Sequence, residues 1–191
     1  SKNIKNLEIK TRTSVAAYHQ YNYLLARENL TDHLEKKDKT NKIRQRLLKI
    51  RAKKVILATG ALERPMVFNN NDRPGIMLSS AIKKYSDFYG VACGRTIVFF
   101  TNNDSAYESA LSLNDKGIKV EAIVDIRKQS ETNLEKRVID AGIKIYWEHT
   151  VVDTSGYKRL NNVSIMKLSN DGTSVTGNKI SISCDCLGVA G

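Results

Sequence analysis

Apolar and polar positions change period along the 191-residue chain. Near the start they alternate: Leu7-Glu8-Ile9, then the aromatic and β-branched runs Ser14–Tyr18 and Tyr21–Leu25, predict short antiparallel strands within residues 4–25. Glu35 to Lys42 is Lys-rich and reads as a solvated loop. Lys54-Val55-Ile56-Leu57-Ala58-Thr59-Gly60 is a continuous apolar run that meets a glycine, the pattern of a buried strand in a parallel α/β fold. Residues 61–78 hold both prolines and Asn69-Asn70-Asn71-Asp72-Arg73-Pro74-Gly75, and predict a long connection. Ile82, Tyr85, Phe88 and Tyr89 then recur at helical spacing, with Ser79 or Ser80 as a cap and Gly90 as a stop.

From residue 96 the pattern becomes regular. Strands are predicted at 96–100, 118–125 and 143–147, and helices at 104–116 and 131–141. Gly117 and Gly142 stand where a helix C-cap glycine belongs, and Ser105 with Glu108 has capping-box spacing. This is a βαβαβ unit with right-handed crossovers. Residues 162–168 and 179–183 flank Asn170-Asp171-Gly172 and predict a hairpin with a longer loop. The class is α/β.

Charge changes this picture little. The net charge is +11, but residues 1–60 hold 15 basic and 5 acidic side chains, while residues 61–191 hold 16 and 15. The basic stretch lacks interleaved aromatics, which disfavours a nucleic-acid footprint and leaves a solvated or subunit-facing surface. No apolar run approaches the ~20 residues a membrane span needs. Three cysteines point to a reducing compartment, with the cytoplasm as default. The chain begins at Ser1-Lys2 without an initiator Met or signal-peptide pattern, and stops on the strand-like Cys186-Leu187-Gly188-Val189-Ala190-Gly191. Both ends fit an excised piece of a longer protein.

The strand at 96–100, its turn and helix, and Asp125 at the end of the next strand match the skeleton of a dinucleotide-binding unit. The glycine positions of that motif are filled by Thr101-Asn102-Asn103-Asp104-Ser105-Ala106. Asp104 is expected to cap the helix and repel a phosphate from the same N–H groups, giving a Rossmann-like scaffold without its own nucleotide. His19, His33 and His149 are isolated, with no metal-ligand spacing. Cys184-Asp185-Cys186 is expected on a strand with both thiols on one face, as small buried side chains. The chain has no Cys-x-x-Cys redox pair. Tyr146 and Trp147 read as packing residues.

Ala58-Thr59-Gly60-Ala61, followed by Arg64-Pro65, resembles the cofactor-facing turn of two-dinucleotide-domain flavoproteins and pyridine nucleotide reductases. Val55–Pro65, Val67–Leu78 and Thr101-Asn102-Asn103-Asp104-Ser105-Ala106-Tyr107 together resemble the α subunit of heterotetrameric sarcosine oxidases, within the FAD/NAD-linked amine oxidoreductases. The resemblance implies an FAD/NAD(P)-binding fold of the two-dinucleotide-domain type. Residues 1–93 would be an incomplete NAD-binding domain, residues 94–184 an inserted Rossmann-like domain with a C-terminal hairpin, and residues 185–191 a strand returning to the first domain.

It further implies NAD in the α subunit, FAD in a β subunit, FMN between the two, γ and δ subunits, and a separate folate-binding domain. The implied reaction is oxidative demethylation of sarcosine to glycine, with peroxide formed and the one-carbon unit passed to tetrahydrofolate. The glycine-rich motif of that family would lie upstream of Ser1. The NAD surface expected here is therefore Val15, Ala58, Thr59 and Gly60, with no catalytic residue. Two alternatives stand beside this reading: a pyridine nucleotide-disulfide reductase, and a basic module for RNA or an acidic partner.

Overall fold

The computed structural model describes residues 6–36 and 42–191. The expected strand start at Ile4 and the centre of the Lys-rich loop lie outside the described residues. The chain forms two compact units, residues 1–60 and 61–191.

In the first unit, β1 (Thr13–His19), β2 (Tyr23–Asn29) and β3 (Gln45–Arg51) form an antiparallel meander in the order β1-β2-β3. Tyr21 and Asn22 turn the first hairpin with positive φ values of 59° and 54°. The turn is tied down where the Tyr18 hydroxyl donates to Asn22 Oδ1 at 2.7 Å and the Ala52 amide donates to the Asn22 carbonyl at 3.0 Å. Two expectations fail here. Leu7 and Ile9 precede β1 in irregular, exposed backbone, and the apolar run 54–60 is not a strand. A strand exists only where a neighbour takes its N–H and C=O groups, and none of the three strands pairs with 54–60. Ile56 is accordingly 91% exposed.

The second unit has three layers. β4 (Ile76–Leu78), β5 (Thr96–Thr101), β6 (Lys119–Asp125), β7 (Lys144–Trp147) and β11 (Cys186–Ala190) form a parallel sheet in the order β4-β11-β5-β6-β7. Helices α1 (Ser79–Tyr89), α2 (Ser105–Asn114) and α3 (Asn133–Asp140) cover one face. The antiparallel sheet of β8 (His149–Ser155), β9 (Asn162–Leu168) and β10 (Val175–Ser183) covers the other. The period-2 alternation of β5 explains why a continuous apolar run is required: Ile97 and Phe99 enter the helix-side core, Val98 and Phe100 the sheet-side core. Strand β8 was not anticipated from the sequence.

β11 lies between β4, which falls within residues 1–93, and β5, with Cys186 opposite Ile97 and Ala190 opposite Thr101. All five of its residues are buried, and Gly188 admits the Phe99 ring where a Cβ would stand 2.5 Å from it. Residues 61–93 supply β4 and α1 to the second unit, with Ile82 fully buried in its core.

Helix ends also differ in detail. Gly90 ends α1 in the left-handed conformation and donates to the Tyr85 carbonyl, as expected. Neither serine caps α1. The Ser105/Glu108 box does not form at α2, and the reciprocal capping box sits at α3, between Thr132 and Glu135.

The Asn-Asp-Arg-Pro-Gly stretch, distinctive in sequence, is structural. Arg73 donates to the Gly156 carbonyl, Asn70 Nδ2 to Asp153 Oδ1 at 2.8 Å, and Thr154 Oγ1 to the Asn70 carbonyl at 2.9 Å. The connection is thereby fastened to β8.

Candidate functional site

Three of the four expected site residues meet in the first unit. Val15, Ala58 and Thr59 line one groove of about 410 Å³ with Ala16, Ala17, Tyr18, Leu24 and Val55–Leu57. Gly60, the fourth, follows directly with a φ of 72°. The lining carries no charged side chain, and its alanines let a flat ligand lie against backbone. Val15 is 59% exposed on the β1 wall of this groove. The groove offers a flat apolar surface and no cation for a pyrophosphate.

The Rossmann-like turn in the second unit does not fit a dinucleotide. Asn103 Oδ1 accepts the Ser105 amide at 3.0 Å and its hydroxyl at 2.6 Å, so Asn103 takes the capping role expected of Asp104. Asp104 makes no cap bond and instead pairs with Arg127 at 2.8 Å. Arg127 also binds Asp125 at 2.8 Å. Asp125, the position at which a ribose would be held, is 1% exposed and accepts the Tyr107 hydroxyl at 2.8 Å. Burial and the Asp125 carboxylate both push the Tyr107 phenol up, while the hydrogen bond to Asp125 raises the Arg127 guanidinium further. Both residues therefore keep their protons at any physiological pH.

A carboxylate from the connecting segment completes this plug. Glu63 Oε2 accepts the Ser80 amide at 2.8 Å and the Ser80 hydroxyl at 2.7 Å, and Oε1 lies 3.4 Å from the Ser105 hydroxyl. An anion thus already stands at the first turn of α1 and beside that of α2. The sequence held no sign of Glu63, since its partners lie 17 and 42 residues away. Arg127, two residues after Asp125, was the one local signal of the ion pair.

The cysteines lie apart from redox geometry. Asp185 is a bend between β10 and β11. It sends Cys184 into the sheet-side core and Cys186 into the helix-side core, not onto one face. Burial pushes each thiol up to about 12. Among the described residues no three His, Cys, Asp or Glu side chains gather for a metal. No helix among them is long and apolar enough to cross a membrane.

No protein-family profile matches the chain. Against curated proteins it is 38% identical over 182 residues to sarcosine oxidase subunit alpha of Corynebacterium sp. (strain P-1), covering 94% of this chain and 18% of that protein. It is 34% identical over 190 residues to the same subunit of Rhizobium meliloti (strain 1021), covering 100% and 18%. The chain is homologous to a segment of sarcosine oxidase α subunits. It spans about 18% of the length of these sarcosine oxidase α subunits, which are components of multi-subunit oxidoreductases. Among solved structures, a FAD-dependent pyridine nucleotide-disulphide oxidoreductase from Desulfovibrio vulgaris superposes with a TM-score of 0.53 at 16% identity, over 94% of this chain and 42% of that one. That likeness shows the α/β fold of FAD/NAD(P)-type oxidoreductases expected from the sequence.

Proposed function

We propose that this chain belongs to the NAD-binding α subunit of a sarcosine oxidase-type amine oxidoreductase in the cytoplasm. The observation that carries the reading is its 38% identity to such a subunit over 94% of its length. NAD would lie in the first unit, along the groove of Val15, Ala58 and Thr59 and the turn at Gly60. The second unit serves as a scaffold whose own nucleotide position is filled by Glu63 and the Asp104–Arg127–Asp125 ion pairs.

FAD would be held by the β subunit and FMN between α and β, supplying the flavin redox chemistry. With γ and δ subunits and a folate domain, the assembly would oxidatively demethylate sarcosine to glycine, form peroxide and pass the one-carbon unit to tetrahydrofolate. This chain's residues bind and position; none acts on the amine. Relatives acting on other secondary amines would share this scaffold.

The buried, separated Cys184 and Cys186 weigh against a disulfide reductase, since neither thiol offers a nucleophile. Calorimetric titration of NAD into the full α subunit tests the reading. Tight binding that Ala58→Leu abolishes, and that Asp104→Ala leaves unchanged, is expected. Binding lost in Asp104→Ala and kept in Ala58→Leu would move the site to the second unit. The 191-residue chain alone is expected to bind NAD weakly or not at all, and micromolar affinity would show that these four positions suffice.

A further inference from the structure

The meander of the first unit has two unlike faces. Cross-strand register sets Leu24 beside Tyr18 and Ile50, and Ala26 beside Val15 and Leu48. That face holds the buried Leu24 and Ala26 and contributes to the apolar groove. On the other face Tyr23 stands between His19 and Arg51, Leu25 between Ala17 and Lys49, and Arg27 between Ser14 and Leu47. Each of these three successive rows carries one exposed cation: Arg51, Lys49 and Arg27.

Three other cations of this unit have carboxylate partners. Lys10 pairs with Glu8, Arg44 with Asp32, and Arg46 with Glu28. Among the described residues, no carboxylate lies within ion-pairing distance of Arg27, Lys49 or Arg51. The Arg51 guanidinium is instead held 5.4 Å over the Tyr23 ring. Lys49 and Arg51 are alternate residues of β3, about 7 Å apart, and Arg27 is diagonal to Lys49, about 7–8 Å away, within the ~8 Å screening length of physiological salt. The three charges therefore repel one another in the free chain, and an anionic surface laid across them would remove that repulsion.

The neighbours say which kind of anion. Leu25 and Leu47 lie between the cations, with Leu47 59% exposed, and the face's tyrosine is already covered by Arg51. A nucleic acid would require free aromatic faces and gain nothing from the leucines. A protein surface with carboxylates around an apolar centre satisfies both.

We propose that this face of the β1-β2-β3 sheet docks an acidic surface of a partner subunit. The proposal rests on the multi-subunit reading above, and it assigns a role to three of the 15 basic side chains in residues 1–60.

The test coexpresses the full α subunit with its own β, γ and δ subunits. Its variant is Arg27→Glu/Lys49→Glu/Arg51→Glu. Assembly of the unchanged subunit should weaken as NaCl rises, and the charge-reversed subunit should assemble at least about tenfold more weakly with a flatter salt dependence. Lys49 acetylation, read by mass spectrometry on unchanged protein, should be suppressed in the assembly relative to the free subunit. This second measurement decides the matter even if the triple variant does not fold.

Assembly indifferent to charge reversal, with Lys49 equally labelled in both states, overturns this proposal alone. It would leave Lys49 and Arg51 as guards of the β3 edge against self-association. Binding of poly(U) that competes with assembly overturns it in favour of RNA. Failure of the unchanged subunit to assemble overturns both this proposal and the reading beneath it.

Discussion

Tyr107 and Asp125 hold each other inside the second unit. The phenol donates to Oδ2 at 2.8 Å, and each residue is 1% exposed. Removing the donor leaves Asp125 bound to Arg127, so Tyr107→Phe should cost only about 1 kcal/mol of stability. Removing the acceptor leaves a buried phenol unsatisfied, so Asp125→Ala should cost about 3 kcal/mol or more. Urea unfolding of the two variants measures the difference. Equal losses would mean that the carboxylate is not the centre of this network.

Glu63 substitutes for a local cap on α1. Glu63→Ala should lower stability by about 1 kcal/mol, the usual loss for a helix cap. It should also speed hydrogen exchange of the Ser80 amide, while Glu63→Gln keeps most of the protection because its oxygen still accepts. Unchanged exchange at Ser80 in the alanine variant would show that the carboxylate contributes nothing there.

The three thiols should differ in reactivity. Cys184 and Cys186 are buried with thiols pushed up to about 12, whereas Cys93 is half-buried and raised by burial. In the native protein at pH 8, iodoacetamide should label Cys93 first and slowly. Cys184 and Cys186 should be labelled only after denaturation. Rapid native labelling of either buried thiol, read by peptide mapping, would contradict the packing of β11.

Asp185 makes the start of β5 acid-sensitive. Burial acts to raise its carboxyl, but the amides of Arg95 and Thr96, at 2.8 and 2.9 Å, and the Arg159 charge outweigh burial and hold it below the ordinary carboxylate range. A carboxyl depressed in the folded state contributes stability that is present above its unfolded value near 4 and is lost as pH falls through the folded value. Stability should therefore fall below about pH 4, and Asp185→Asn should flatten that part of the curve. A variant as acid-labile as the parent in thermal unfolding between pH 6 and pH 2.5 would assign the loss elsewhere.

Some features were legible because they are local. Gly90, Gly117 and Gly142 marked helix ends, and all three have positive φ. The run Thr96–Phe100 had no polar interruption, so it had to be covered on both faces. Other features were missed because they join distant residues. The Ala58-Thr59-Gly60 turn resembled a cofactor-facing strand, yet no strand pairs with it among the described residues. Cys184 and Cys186 looked like alternate positions of one strand, but the bend at Asp185 restarts the count between β10 and β11.

By itself, the sequence determined the period of each element, most helix stops, the loss of the glycine phosphate turn and the resemblance to sarcosine oxidase α subunits. Each of these rests on residues within a few positions of one another. Tertiary structure alone decided that β11 is central in the second unit's sheet, that Glu63 reaches the first turn of α1, and that Arg127 joins Asp104 to a buried Asp125. Those outcomes depend on which backbone and charged groups find partners across long stretches of chain, and burial, not local propensity, sets the cost of leaving them unpaired.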